Sequence, residues 1–280
     1  LFDWSSKKKG KMLMKVLSLG AGVQSTTLAL MAAAGEIEMP DCAIFADTGA
    51  EPKPVYDHLQ RLIAVLPYPV HLVSAGNIRD DLVRGTNSGG SKRFASIPFF
   101  MDRGRDGIGM ARRQCTSEYK IKPIDKELRA MLGYMPRARI PAKSAEVWIG
   151  ISTDEAIRMK PTMVNWKVNR WPLIERGMSR MACHDWLSRH GWTAPKSSCT
   201  FCPFRSDESW INMKATDEES FADAVNVDRA LRSSGMMGSF KAVPYLHRSC
   251  KPLDEVDLRT NAEVGQPDLF MNECEGMCGV

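Results

Sequence analysis

No stretch of this sequence approaches the about twenty consecutive apolar residues that a membrane-crossing helix needs. No signal-peptide pattern opens it, no segment repeats, and no tract is of low complexity. These absences argue against a helical membrane protein and a repeat array, so a cytoplasmic chain with no membrane partner is expected. Neither sign of charge dominates: 38 Lys and Arg face 33 Asp and Glu, a net charge of +5. That balance permits an anionic ligand or nucleic acid and demands neither. Disulfides are out of place in such a compartment, so the eight cysteines point to metal binding or catalysis.

What is present is a chain of 280 residues, 44% hydrophobic and 25% charged, ample for one large domain with a real core or a domain with an appendage. Residues 1–11, ahead of Met12, are read as an extension or remnant outside the fold. Many basic residues gather in 79–113 and 160–180, as a solvated surface or as the lining of an anion cleft or RNA/DNA face. "VLSL" reads as a buried strand, Ser25 to Ala34 as a helix stopped by Gly35, and "DCAIFADTG" as a second strand. Val55, Leu59, Leu62, Ile63 and Leu66 have helical spacing, and "YPVHLVSA" follows as a third strand. This alternation predicts a parallel α/β sheet flanked by helices. Residues 85–109 break the pattern with glycine, serine and arginine, as a lid, binding loop or linker would. A helix is expected from Ile124 to Leu132, a strand over "AEVWIGIS", and a helix from Arg180 to His190. Beyond it, short helices and loops carry most of the cysteines. The expected division is 12–160 for a nucleotide-binding domain and 161–280 for a Cys-rich region.

The turn "SLGAGVQSTT" has the makings of a phosphate loop. It lacks the lysine of GxxxxGK[ST], and Ser25 stands where GxGxxG has its third glycine. Glycines still let backbone N–H groups approach an anion, Ser25 and Thr26 add hydroxyl donors, and a helix N-terminus favours negative charge. The run Ser18-Leu19-Gly20-Ala21-Gly22-Val23-Gln24-Ser25 resembles the pyrophosphate loop of the PP-loop ATP pyrophosphatases, in the variant found in phosphoadenylylsulfate (PAPS) reductases. Gln24 stands where the commoner loop has Asp. "FADTGAE" resembles the second-strand segment of those reductases, and "WIGISTDEAIR" their Gly-x-x-x-x-Glu-x-x-Arg segment. "RRQCTSEYKIKPI" is similar to their Arg-Cys-…-Lys-x-x-Pro segment, with one cysteine, Cys115, where adenylylsulfate reductases have a pair.

The resemblance implies an adenine nucleotide alpha hydrolase-like, Rossmann-like fold with a Cys-rich, mostly helical and loop C-terminal region. It implies nucleotide contacts from Ser18, Gly20, Ala21, Gly22, Gln24, Ser25, Thr26, Asp47, Thr48 and Gly150. Cys115, Lys120, Asp154 and Arg158 become the expected catalytic groups. Arg93, Arg112 and Arg113 are expected to contact nucleic acid or another anion. The tail segments resemble those of phage- and bacterium-encoded PAPS-reductase-like proteins, while the Glu-Cys-Gly-Leu-His ending of thioredoxin-dependent PAPS reductases is missing.

Cys199 and Cys202 form a CxxC, and Cys274 and Cys278 a second close pair near the end of the chain. Four thiolates suit zinc or a [4Fe–4S] cluster equally in donor type. Cys115 with Cys199 and Cys202 is the competing three-ligand set, with an open iron, as in sulfur-inserting relatives. Arg112, Arg113 and Lys120 give Cys115 an electropositive setting that suits a ligand, a nucleophile or a persulfide carrier. Cys42 is expected in the core, and Cys183 in helix packing or as an extra metal ligand. The expected activity is ATP-dependent adenylation of an acceptor, tRNA or DNA, with Mg²⁺, followed by sulfur transfer from a donor such as a cysteine desulfurase. Sulfonucleotide reduction is the alternative, and a non-catalytic nucleotide- or nucleic-acid-binding subunit with a structural metal the third. A homo-oligomer stays open.

Overall fold

The computed structural model describes residues 13–92, 96–233 and 242–258. The expected extension, Arg93, Cys274 and Cys278 lie outside the described residues.

A five-stranded, wholly parallel sheet forms the centre. Its strands are β1 (Met14–Leu19), β2 (Cys42–Asp47), β3 (Val70–Ser74), β6 (Ala145–Ile149) and β7 (Lys167–Arg170), in the order β3-β2-β1-β6-β7. β1, β2 and β6 are almost continuously buried, as strands covered on both faces must be. Val16 pairs with Cys42 on one side and Val147 on the other, which sets the register of the three central strands. Helices α1 (Val23–Ala33) and α2 (Lys53–Val65) cover one face. Leu28, Met31, Leu59 and Leu62 pack there with Cys183, Trp186 and Leu187 of α6 (Arg180–Arg189). On the other face α4 (Lys122–Met131) places Ile124 and Leu128 against Val16, Ile44 and Val147. The sheet is therefore α/β and flanked by helices, as expected. β7 and α6 extend the sheet and its helical layer past residue 160.

The described part of 85–109 holds more regular structure than its composition suggests. β4 (Phe100–Asp102) pairs antiparallel with β5 (Ile108–Met110) and with β8 (Pro244–Tyr245). Phe99 and Met101 join a third core with Phe201, with Trp210 of α7 (Asp207–Thr216), and with Phe221 and Val227 of α8 (Glu218–Ser233). This core also holds Ile78 and Leu82 of α3 (Ile78–Arg84), so it stands against the carboxyl ends of β2 and β3. Among the described residues no helix is long and apolar enough to cross a membrane.

Candidate functional site

Sheet order locates the site. The chain runs outward from β1 through β2 to β3, then returns to the opposite side of β1 as β6 and β7. At such a reversal the loops leaving neighbouring strands diverge and open a crevice at their carboxyl ends. A cleft lies there, lined by Ser18, Gly20 and Gly22 after β1, Phe45 and Ala46 of β2, and Gly150 after β6.

The loop after β1 has the backbone of an anion cradle. Ala21 adopts φ 54°, an uncommon conformation for a residue with a Cβ. Gly22 caps α1 without a side-chain hydrogen bond, and the first turn contains no acidic residue. The helix therefore presents its first N–H groups uncapped by any side chain, with the positive end of its dipole uncancelled. Ser25 Oγ accepts from Gly20 N at 3.2 Å and lies 3.3 Å from Gly22 O, holding the loop to the helix. Gly150 is required by close approach: a Cβ there would lie 2.9 Å from Ser25 N.

Charge in the cleft is one-sided. Among the described residues, Lys120, Arg158, Arg180 and Lys196 line it against a single carboxylate, Glu155. Arg158 Nη1 lies 2.7 Å from Glu155 Oε1, and Gln24 Nε2 donates to Glu155 Oε2 at 3.1 Å. Burial raises the Glu155 carboxyl above the ordinary range, and the neighbouring Arg158 only partly offsets it. Gln24 thus joins the 20–25 loop to the 152–158 turn, a link that aspartate at that position would turn into carboxylate repulsion.

A second, apolar pocket opens beside the first. Cys115, Cys199 and Cys202 line it with Ile97, Phe201 and Phe204. Thr116 and Lys120 line both pockets. They sit on a π-helix, Thr116–Ile121, directly after Cys115. At about 4.4 residues per turn Cys115, Thr116 and Lys120 share one face, whereas an α-helix would turn Lys120 well away from Cys115. The same turn buries Glu118 and Tyr119, whose side chains bond Ser96 and Asp81. Lys120 Nζ is 3.5 Å from the buried carboxylate of Glu51.

The remaining described thiols are of another kind. Burial pushes Cys42 up to about 12 and Cys183 up to about 11, and also raises Cys250. None of these three lines either pocket.

The fold of this chain is similar to that in a crystal structure of phosphoadenylyl-sulfate (PAPS) reductase from Candida auris in a phosphate complex. The TM-score is 0.42 at 11% identity, over 68% of this chain and 78% of that one. No protein-family model and no curated protein matches the chain.

Of the expected nucleotide residues, Ser18, Gly20, Gly22, Gln24, Ser25 and Gly150 line the cleft, as do Lys120 and Arg158. Others are engaged elsewhere. Thr26 Oγ1 meets His58 Nε2 at 2.9 Å in the core. Asp47 accepts from Tyr56 and from Gly49 N, and Thr48 faces the thiol pocket. Asp154 accepts from Arg180 N at the start of α6. Arg112 is exposed, while Arg113 lines the thiol pocket with its guanidinium 5.9 Å from the Phe204 ring. Arg79, within the expected basic surface, pairs with Asp223. Arg180, Lys196 and Ser197 are cleft residues that no sequence motif marked.

The donor set of the thiol pocket suits a soft metal or an iron–sulfur cluster, since thiolate is the preferred ligand of both. Among the described residues, however, no three His, Cys, Asp or Glu side chains converge as a metal site requires.

Proposed function

We propose that this chain is a nucleotide-dependent enzyme of sulfur chemistry, related to the PAPS reductases and PP-loop ATP pyrophosphatases. One observation carries the reading: Thr116 and Lys120 belong at once to a cationic phosphate cleft and to a pocket of three cysteines. A group activated on a nucleotide in the first pocket is thereby presented to sulfur in the second.

In the leading form, ATP lies with its phosphates on the 20–25 loop, Mg²⁺ being carried by the phosphates themselves. An acceptor oxygen of tRNA or DNA attacks the α-phosphorus and pyrophosphate leaves. A persulfide on Cys115, loaded by a cysteine desulfurase, attacks the activated carbon, and AMP departs with the acceptor oxygen. Cys199 or Cys202 then attacks the Cys115 sulfur, which frees the thiolated product and leaves a disulfide that an external thiol reduces. Arg112 and Arg113 would contact acceptor phosphates, making binding salt-dependent. Should a [4Fe–4S] cluster or zinc be present, Cys115, Cys199 and Cys202 are its ligands of choice, with Cys274 and Cys278 as further donors.

The excess of four cations over one carboxylate among the described residues, that carboxylate being itself tied to Arg158, favours a second form. Here an adenylylated sulfate binds without metal, and a thiolate of the pocket attacks its sulfur. The nucleotide leaves, and a second thiol releases sulfite as a disulfide forms.

The test incubates anaerobically purified protein with α-labelled ATP, with and without tRNA or DNA, and separately with labelled adenylylsulfate plus a thiol. AMP and pyrophosphate formed only with acceptor support the first form. Sulfite formed without ATP supports the second. Nucleotide binding with neither product would refute both and leave a binding subunit.

A further inference from the structure

The one carboxylate among the described cleft residues is held from two sides. Glu155 lies on the short turn Thr153–Arg158, with Arg158 at the turn's other end. Arg158 Nη1 lies 2.7 Å from Glu155 Oε1, and both side chains are only 14% exposed. From the 20–25 loop, Gln24 Nε2 donates to Glu155 Oε2 at 3.1 Å. Glu155, Arg158 and Gln24 all line the cleft. The carboxylate therefore occupies, within the cleft itself, a guanidinium that an anionic ligand would use.

The charges around Glu155 come from several elements. Arg158 and Asp154 share its turn, and Arg180 belongs to α6; all three act on its carboxyl charge. Lys120 of the π-helix and Lys196 line the same cleft. Cys183, also near on α6, has its thiol pushed up to about 11 by burial. Helix α5 (Pro172–Glu175) packs on the turn but directs its own Glu175 to Arg170. Even among these cations, burial keeps the Glu155 carboxyl above its ordinary range. A phosphate or sulfate entering the cleft adds negative charge beside Glu155 and draws on Arg158. A like charge that shares a site disfavours the ionised form of a carboxyl, which then takes up a proton. Gln24 suits either state, since its amide N–H donates to a carboxylate or to the carbonyl oxygen of a carboxylic acid.

We propose that Glu155 is the proton-uptake group of the cleft, so that a phosphate or sulfate group binds together with one proton from solvent. In the empty cleft Glu155 is ionised and holds Arg158. In the filled cleft the anion takes Arg158, the proton sits on Glu155, and the new O–H donates to a ligand oxygen. The inference rests on the reading of the cleft as a nucleotide site and adds the protonation state in which that site binds.

The experiment uses the full chain and adenylylsulfate, whose phosphate and sulfate groups do not titrate near neutrality. Affinity is measured by calorimetry from about pH 5.5 to about pH 8, in two buffers of different ionisation enthalpy at each pH. The difference in heat between buffers counts the protons taken up. Glu155→Gln keeps the shape of the side chain and carries no charge at any pH, and its unfolding midpoint confirms that it is folded. Wild-type affinity is expected to fall as pH rises, by at most about tenfold per pH unit, with net proton uptake on binding. Glu155→Gln is expected to lose both effects and, at the upper end of the range, to bind at least as tightly as wild type. Wild-type binding without proton uptake, the same uptake in Glu155→Gln, or weaker binding by that variant at the upper end would overturn the inference while the nucleotide reading stood. If the wild-type chain binds neither adenylylsulfate nor ATP, the nucleotide reading itself fails and takes this inference with it.

Discussion

Thr48 and Cys199, 151 positions apart in sequence, meet side chain to side chain, Oγ1 to Sγ at 3.5 Å. Thr48 is 1% exposed, so its hydroxyl has little access to water and faces the thiol. When Cys199 ionises, that hydroxyl becomes a donor to sulfur, and hydrogen bonds to charged groups are the stronger kind. Thr48→Val removes the donor and keeps the branched shape. Stability should change by no more than about 1 kcal/mol. Alkylation of Cys199 at neutral pH should slow by roughly tenfold, the equivalent of about 1.4 kcal/mol. Alkylation of Cys115 serves as the internal control.

Gly150 tests the cradle. Its missing side chain leaves room for Ser25 N and for Gln24 C, which a Cβ would approach to 2.9 and 3.2 Å. Both atoms are backbone and cannot swing aside. Gly150→Ala should therefore push α1 away from β6, at a cost of about 1–3 kcal/mol. Pyrophosphate affinity, read by calorimetry, should fall at least about tenfold if the N–H groups of the 20–25 loop hold phosphate. An alanine variant with wild-type affinity would place the phosphate elsewhere.

The central sheet was legible because buried parallel strands announce themselves as short apolar runs, and "VLSL", "CAIFAD" and "EVWI" are such runs. β4 and β5 were not, since three-residue strands leave no period to read, and their partner β8 comes from more than 130 residues away. The site divides the same way. Ser18, Gly20, Gly22, Gln24 and Ser25 sit on one local motif and were readable together. Thr48 was readable as a strand-end residue, but which pocket it faces depends on where the Cys199 segment returns. Lys196 and Ser197 carry no motif at all, and the packing of Ser197 over Gly22 is a contact that only the fold reveals. The π-turn after Cys115 is likewise invisible in a sequence that reads equally well as α-helix.

Arg205 is a buried guanidinium that closes the CxxC turn from behind. Nη2 donates to Ser198 O and Cys199 O, Nη1 donates to Ser209 Oγ at 3.2 Å, and the group lies 5.6 Å from the Trp210 ring centre. Arg205→Met would leave two carbonyl oxygens without this donor, at a cost of about 2–3 kcal/mol. Arg205→Lys should recover little of it, because an ammonium lacks the planar fork that reaches both carbonyls and stacks on tryptophan. Urea midpoints for the three proteins, with alkylation of Cys199 and Cys202 alongside, check the ordering.

His58 makes stability depend on acid. The ring is 4% exposed, Nε2 meets Thr26 Oγ1 at 2.9 Å, and Trp192 packs edge-on with ring centres 6.1 Å apart. Burial, with a smaller contribution from the Arg61 cation, lowers its pKa from 6.5 to about 4. The folded protein therefore holds His58 neutral where the unfolded chain already binds a proton. Stability from this group is complete above pH 6.5 and falls as pH drops toward 4, with a limiting slope of about 1.4 kcal/mol per pH unit. Below pH 4 both states are protonated and this contribution levels off. His58→Gln, which can still bond Thr26, should flatten the difference between urea midpoints at pH 7 and pH 4.5 relative to wild type. An unchanged difference would assign the acid sensitivity to other groups, and would leave His58 accessible to protons in the folded state.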